Sequence, residues 1–304
     1  MKRTEKNAGA LGSALIITAG VFWGSMGIFV RALGRYGFDS IQIVALRLTV
    51  AAIVFAALHA ALERGQLWIS ARDIPLFLGL GLGSILFFTV CYFTAISMMP
   101  LSTAAILLYT SPIWVMLMAC IFFKERLTAR KLIALACAFA GCVLVSGLGG
   151  GLSARGLIVG LCSGVGYGLY SILGSVALKK YSPLTVTAYT FLVAAIGAWA
   201  ICAPGELLSL LSAAPDAPAL IGLIIVTGLI TAVIPFAAYT SGLKSVEASR
   251  AAILATVEPM VATLFGAAIF KEALSGRAIA GIALILISVV ILNFTRRSAP
   301  PEEG

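Results

Sequence analysis

The chain has 304 residues, 61% of them hydrophobic and 11% charged, with a formal net charge of +9. A soluble domain carries about 25% charged residues, so this composition excludes an ordinary soluble protein, and the basic surplus reads as loop charge beside a membrane and not as a nucleic-acid footprint. At about 20 residues per crossing, the length accommodates about ten membrane-spanning helices with short connections.

Apolar runs punctuated by charged and turn residues predict spans at 11–33, 40–61, 74–97, 101–123 and 127–147. A second set follows at 154–177, 183–203, 217–243, 248–270 and 274–295. The first run continues through Trp23 to about Leu33 without a small-residue cleavage site, so it is expected to stay in the mature chain. Arg47 falls seven residues into the second span. A charge at that depth snorkels, pairs with an acid or meets an anionic group of a solute, and snorkelling or structural pairing is the expectation favoured here. His59, the single histidine, lies near a helix end and is expected at the interface. Lys124-Glu125 and Lys271-Glu272 stand at the turns into the fifth and tenth spans, where a carboxylate suits the N-terminus of the next helix; both are expected as caps or gate elements. The six cysteines sit in or beside apolar runs with no CxxC pair and read as small core residues.

The halves are copies. Pro100 to Leu127 lies over Glu247 to Leu274 at a constant offset of 147 without a gap, with eleven of 28 pairs identical. The matched residues include Ala104-Ala105-Ile106-Leu107 over Ala251-Ala252-Ile253-Leu254, Pro112 over Pro259 and Phe123-Lys124-Glu125 over Phe270-Lys271-Glu272. Outside that block, Gly20 to Gly24 matches Gly164 to Gly168, and Val50 to Ile53 matches Val193 to Ile196. The expected organisation is a five-helix repeat over 1–147, a Gly-rich linker over 148–153, a second five-helix repeat over 154–295 and a cytoplasmic tail over 296–304. Five is odd, so the second repeat enters the membrane from the opposite face and the pair is inverted, a geometry suited to alternating access around a site at the repeat interface. On this threading 15 of the 21 basic residues fall on the face of the termini and five (Arg31, Arg35, Arg155, Lys271, Arg277) on the other, which places both termini in the cytoplasm.

These residues resemble the EamA-like branch of the drug/metabolite transporter superfamily. The resemblance covers essentially the whole chain. It is carried by Phe22-Trp23-Gly24, Arg47, the Ala-Ile-Leu…Pro…Lys-Glu-x-Leu pattern of the fourth span into the fifth, and Glu258-Pro259 with Lys271-Glu272. It implies an all-α integral membrane protein of ten helices around a central cavity, with the fifth and tenth spans peripheral, and a bacterial cytoplasmic-membrane carrier of amino acids, amines or similar metabolites. The copies depart from each other where chemistry is expected, with Thr190 standing where Arg47 does and Ser111 where Glu258 does.

Glu258 lies mid-span, at a depth of about 15 Å. A carboxylate there serves proton coupling or a cationic solute, or else serves structure by bonding backbone groups freed by a proline. Pro112 and Pro259 cannot donate to the carbonyls of Leu108 and Ala255, so each is expected to kink its helix and open a carbonyl to the cavity. Pro235 has no counterpart, Phe88 holding the aligned place, and is read as local shaping. Trp23, Tyr92, Tyr109, Tyr167, Tyr170 and Tyr239 lie in spans that the family arranges around the cavity, where rings stack on a solute or hold an amine; packing aromatics are the plainer alternative. GxxxG spacing at Gly20 to Gly24 and Gly164 to Gly168 permits close helix approach.

No Walker motif, mid-span aspartate pair or HExxH is present, so neither ATP-driven transport nor an intramembrane hydrolase is expected, and no cofactor or metal is called for. The expected partners are a small solute, protons as coupling ion and the lipid bilayer, with no nucleic acid; monomer and homodimer, import and export stay open. The competing class is a ligand-binding receptor or assembly subunit that moves nothing, against which stand the short loops.

Overall fold

The computed structural model of the protein describes residues 2–63, 68–147 and 154–293. The linker expected at 148–153 and the tail at 296–304 lie outside the described residues. Among the described residues, ten helical spans are long and apolar enough to cross a membrane: Asn7–Gly34, Ser40–Leu62, Ala71–Met98, Leu101–Phe123, Ala129–Ser146, Ala154–Ala177, Pro183–Ile201, Ala217–Leu243, Ala248–Phe270 and Gly276–Asn293. Local chemistry sets their starts. Asp39 and Gln42 form a capping box ahead of the second span, Thr128 caps the fifth, Ser182 with Pro183 opens the seventh, and Asp216 caps the eighth. A further helix, Pro204–Ala213, was not expected; it tucks Leu207 inward between the seventh and eighth spans.

The second span packs along the seventh and the fifth along the tenth. The first packs on the eighth and ninth, and the sixth on the third and fourth. Exchanging every span with its counterpart five later leaves this set of pairings unchanged. The fifth and tenth spans bury the smallest share of their residues, so they are peripheral. Outward-facing Ile53, Ile121, Ile158 and Ile196 give the exterior an apolar surface suited to lipid.

Association of helices in lipid relies on close van der Waals fit, and glycine supplies it at equivalent places in both halves. A Cβ on Gly81 would sit 2.7 Å from Val193 Cβ, and one on its counterpart Gly228 2.4 Å from Val50 Cβ. Gly141 and Gly281 seat against each other's carbonyls where the fifth and tenth spans cross. The third and eighth spans share another feature that the sequence does not announce, a π-helical stretch over Gly79–Leu86 and Leu229–Val233. Pro235 follows the second stretch and no proline follows the first, so proline is not what creates them.

Pro112 and Pro259 do more than kink their spans. The fourth span is broken into Leu101–Leu108 and Ser111–Phe123, and the ninth into Ala248–Leu254 and Val257–Phe270. Of the two carbonyls expected to be freed, Ala255 O accepts from Glu258 N at 3.0 Å, and Gly164 lies over Leu108 O, where an added Cβ would come to 3.3 Å. At the first break Thr110 Oγ1 also donates to Leu107 O at 2.6 Å.

The Lys-Glu pairs also differ from expectation, because they end the preceding helices and do not begin the following ones. Lys124 and Lys271 are left-handed, with φ of 54° and 59°, and their amides bond back to Ala119 O and Gly266 O. This conformation costs an L-residue about 1–2 kcal/mol relative to glycine. Lys271→Gly is therefore expected to stabilise the protein by about 0.5–1 kcal/mol after the extra chain entropy of glycine is deducted. A raised thermal midpoint in detergent is the expected reading, and a lowered one contradicts it.

Candidate functional site

The centre of the protein is aromatic. Trp23 of the first span packs on Phe236 at 5.0 Å and Tyr239 at 5.4 Å of the eighth, and edge-on to Tyr167 of the sixth at 6.2 Å between ring centroids. Tyr170 closes the group against Phe236 at 5.1 Å. The phenols are fixed, Tyr170 with Thr240 Oγ1 at 2.6 Å and Tyr239 with Ser171 Oγ at 2.7 Å, so the rings present defined faces and not mobile ones. Together with Ser111 and Ala255 at the two helix breaks, they enclose a cavity of about 20 Å³. That volume admits little more than a water, so the cavity is contracted in this conformation.

Beside the aromatic group lies a polar cluster. Glu258 stands in the first turn of the half-helix Val257–Phe270, where the exposed amides and helix dipole favour negative charge. Tyr167 Oη donates to Glu258 Oε2 at 3.1 Å, and the phenol of Tyr109 also lies against this carboxylate. Tyr92 stands within its electrostatic reach. Arg47 faces the same carboxylate closely enough for the two charges to act on one another, yet no ion pair joins them among the described residues. Arg47 does not snorkel. Its side chain is inside the protein, the residue 6% exposed, with Nη1 donating to Met26 Sδ at 3.0 Å and Nε without a partner.

The expected residues thus separate into three places. Trp23, Tyr167, Tyr170 and Tyr239 line the cavity; Glu258, Arg47, Tyr92 and Tyr109 form the adjoining cluster; Pro112 and Pro259 make the helix breaks and do not line the cavity. Tyr167 belongs to the first two at once. Phe236, Ser171 and Ser111 were missed as lining residues. Phe236 follows Pro235 and Ser171 lies one helical turn beyond Tyr167, which are the only signals that point to them.

A second cavity of about 490 Å³ opens on the face where the first span begins and the tenth ends. It lies between the fourth, sixth, eighth and ninth spans, all of which also border the central cavity, and includes Phe122, Lys124, Ser175, Lys179, Leu243 and Lys244. Ser171 and Ser175, like Tyr239 and Leu243, are four residues apart on one helix, so about one turn, or 6 Å, separates the two spaces. Leu243 packs towards Gly174, where an added Cβ would meet its Cδ2 at 3.3 Å.

Ion pairs tie the ends. Lys131 Nζ bridges Glu125 at 3.0 Å and Glu247 at 2.8 Å, and Ser249 donates to Glu125, so the fourth, fifth and ninth spans are linked on the face where the second cavity, or vestibule, opens. Arg31 meets Glu272 at 2.9 Å on the other. His59, in the last turn of the second span, is buried within the protein and bonds Glu63 at 2.9 Å. Burial alone would raise the Glu63 carboxyl, but hydrogen bonds from Ser182, Thr185 and His59 hold it below the usual carboxylate range, joining the second span to the seventh. Among the described residues, no group of three His, Cys, Asp or Glu side chains is placed to hold a metal.

Comparison with known proteins gives one answer. A transporter of Archaeoglobus fulgidus is 32% identical over 92% of this chain and 95% of its own length. A probable terminal-alkyne amino-acid exporter of Streptantibioticus cattleyicolor is 28% identical over 58% of each chain. A crystal structure with a TM-score of 0.74 covers 92% of this chain and 95% of its own at 19% identity, so it shares the fold. The EamA-like transporter family matches residues 10–147 and 154–294. This multi-pass membrane protein belongs to the EamA-like transporter family.

Proposed function

We propose that the protein is a secondary transporter, and not an enzyme, that moves a small organic metabolite of the amino-acid or amine class across the cytoplasmic membrane by alternating access, with a proton carried at Glu258. The observation that carries this reading is the bond from Tyr167 to Glu258, because one side chain joins the aromatic cavity to a carboxylate in the middle of the bilayer. An ionisable group at that depth is costly and is kept for function.

The pairing of spans, unchanged when the halves are exchanged, favours two inverted five-helix repeats that rock about the central site. The excess of basic residues on the vestibule face favours a cytoplasmic location for that face. The large vestibule is then the cytoplasmic entrance, and Leu243 against Gly174 is the constriction between it and the binding site. The amino-acid class draws support from the exporter that aligns over 58% of this chain at 28% identity.

The test is a panel of amino acids and amines offered to the purified protein in proteoliposomes, with and without a pH gradient. Gradient-stimulated accumulation of at least one of them is expected. A panel that shows neither accumulation nor exchange removes the transport reading.

A further inference from the structure

Arg47 is buried and Glu258 half-buried, the two lie within electrostatic reach of one another without an ion pair among the described residues, and each bonds a different partner. Glu258 is held by the Tyr167 hydroxyl at 3.1 Å. The Arg47 guanidinium carries five N–H donors, and its one hydrogen bond among the described residues goes to the thioether of Met26 at 3.0 Å, with Nε unpartnered at 94% burial of the residue. A thioether is a weak acceptor, and a buried guanidinium is matched far better by a carboxylate fork. Arg47 has no charged counterpart in the other half, where Thr190 stands, and Glu258 has none either, where Ser111 stands. Both departures from the repeat therefore meet at one point.

We infer that Arg47 and Glu258 are the two poles of a binding site for the zwitterionic head of an α-amino acid, with Arg47 taking the carboxylate, Glu258 the ammonium, and the Trp23, Tyr167 and Phe236 rings the apolar side chain. This rests on the transport reading given above and narrows its substrate class. Charge balance supports it. The site carries one positive and one negative charge, and so does the ligand, so loading adds no net charge to the bilayer centre, where an unbalanced one is costly. An amine alone would leave Arg47 unpaired; a carboxylate alone would leave two anions facing one cation.

Among the described residues the groups around Glu258 are Tyr167, Tyr109, Tyr92 and Cys142, with Arg47 the cation acting on it. A proton and the ammonium of the solute then compete for one carboxylate. Binding weakens as pH falls and Glu258 takes a proton, and the device exchanges protons for amino acids.

The test measures binding of the twenty standard amino acids to the full-length protein in detergent. For each one bound, its amide, which lacks the carboxylate, and its deaminated acid, which lacks the ammonium, are measured beside it. Wild type is expected to bind at least one amino acid and to bind both truncated forms about 30-fold or more weakly, the cost of leaving a buried charge unpaired. Arg47→Lys keeps the charge and removes the fork, and is expected to weaken the amino acid about tenfold while leaving the amide unchanged. The analogue series in wild type decides the matter even if the variant does not fold. Amides that bind as well as the amino acids overturn the role of Arg47 and leave the transport reading intact. Gradient-driven transport of a solute without a carboxylate does the same. A protein that neither binds nor moves any solute overturns both.

Discussion

Substituting alanine for Gly164 is expected to destabilise the protein by about 3 kcal/mol, the upper end for inserting a methyl group into a packed core, and to lower its thermal midpoint in detergent accordingly. The added Cβ would lie 2.5 Å from Thr110 Oγ1 and 2.7 Å from Leu107 O. A long side chain could swing away, but a carbonyl at a helix break cannot. Moving it strains the turn at Tyr109 and Thr110 and breaks the bond from Thr110 Oγ1 to Leu107 O. Gly20→Ala acts at the equivalent crossing, where the Cβ would meet Val257 Cγ2 at 2.4 Å and Ala255 O at 3.1 Å. Its first clash is with a side-chain methyl, so its cost is expected to be smaller. Gly27 provides the control, because nothing lies within 4 Å of its added Cβ and it sits in the helix Met26–Gly34. There alanine is expected to stabilise by about 0.5–1 kcal/mol through helix propensity. Equal midpoints for Gly164→Ala and Gly27→Ala would refute the close crossing.

The same glycines show how far sequence reading reaches in a membrane protein. Span positions, the repeat, the GxxxG crossings and the mid-span carboxylate are written in residue types, because each rests on what a side chain is or lacks. The inner face of a span is not written that way. The span Ala217–Leu243 carries no charged residue, and lipid is as apolar as the core, so periodicity does not separate Phe236 inside from Ile234 outside. The π-helical stretches have no composition of their own: Gly79–Leu86 and Leu229–Val233 read as ordinary helix. The ends at Lys124 and Lys271 were misassigned for a related reason. A left-handed helix end is normally marked by glycine or asparagine, and a lysine at that place carries no such mark. Arg47 was legible as a charge within a span, but its burial and its position opposite Glu258 come from the packing of the second span and the ninth about the first.

Glu258→Gln is expected to abolish the effect of a pH gradient on transport while leaving the protein folded. The amide has the shape of the carboxyl, and its carbonyl still accepts from Tyr167 Oη, so the bond at 3.1 Å and the half-helix behind it are preserved. What is lost is the capacity to carry a proton and to hold a negative charge. One unit of pH gradient is worth about 1.4 kcal/mol, enough to sustain about a tenfold concentration ratio in one-for-one exchange with a proton. In the variant that ratio is expected to fall to one. Exchange of labelled solute without a gradient separates the two duties of the residue: it survives if Glu258 serves the proton alone, and it drops with the gradient effect if the solute's ammonium rests on the same carboxylate. Tyr167→Phe refines the reading, because it removes the hydroxyl donor and keeps the ring on Trp23, and loss of a hydrogen bond to a charged group is worth about 1.5–3 kcal/mol. It favours the protonated carboxyl, so its gradient response is expected to persist with its optimum moved to higher pH. An unchanged tenfold accumulation in Glu258→Gln places the proton elsewhere in the protein and ends the assignment.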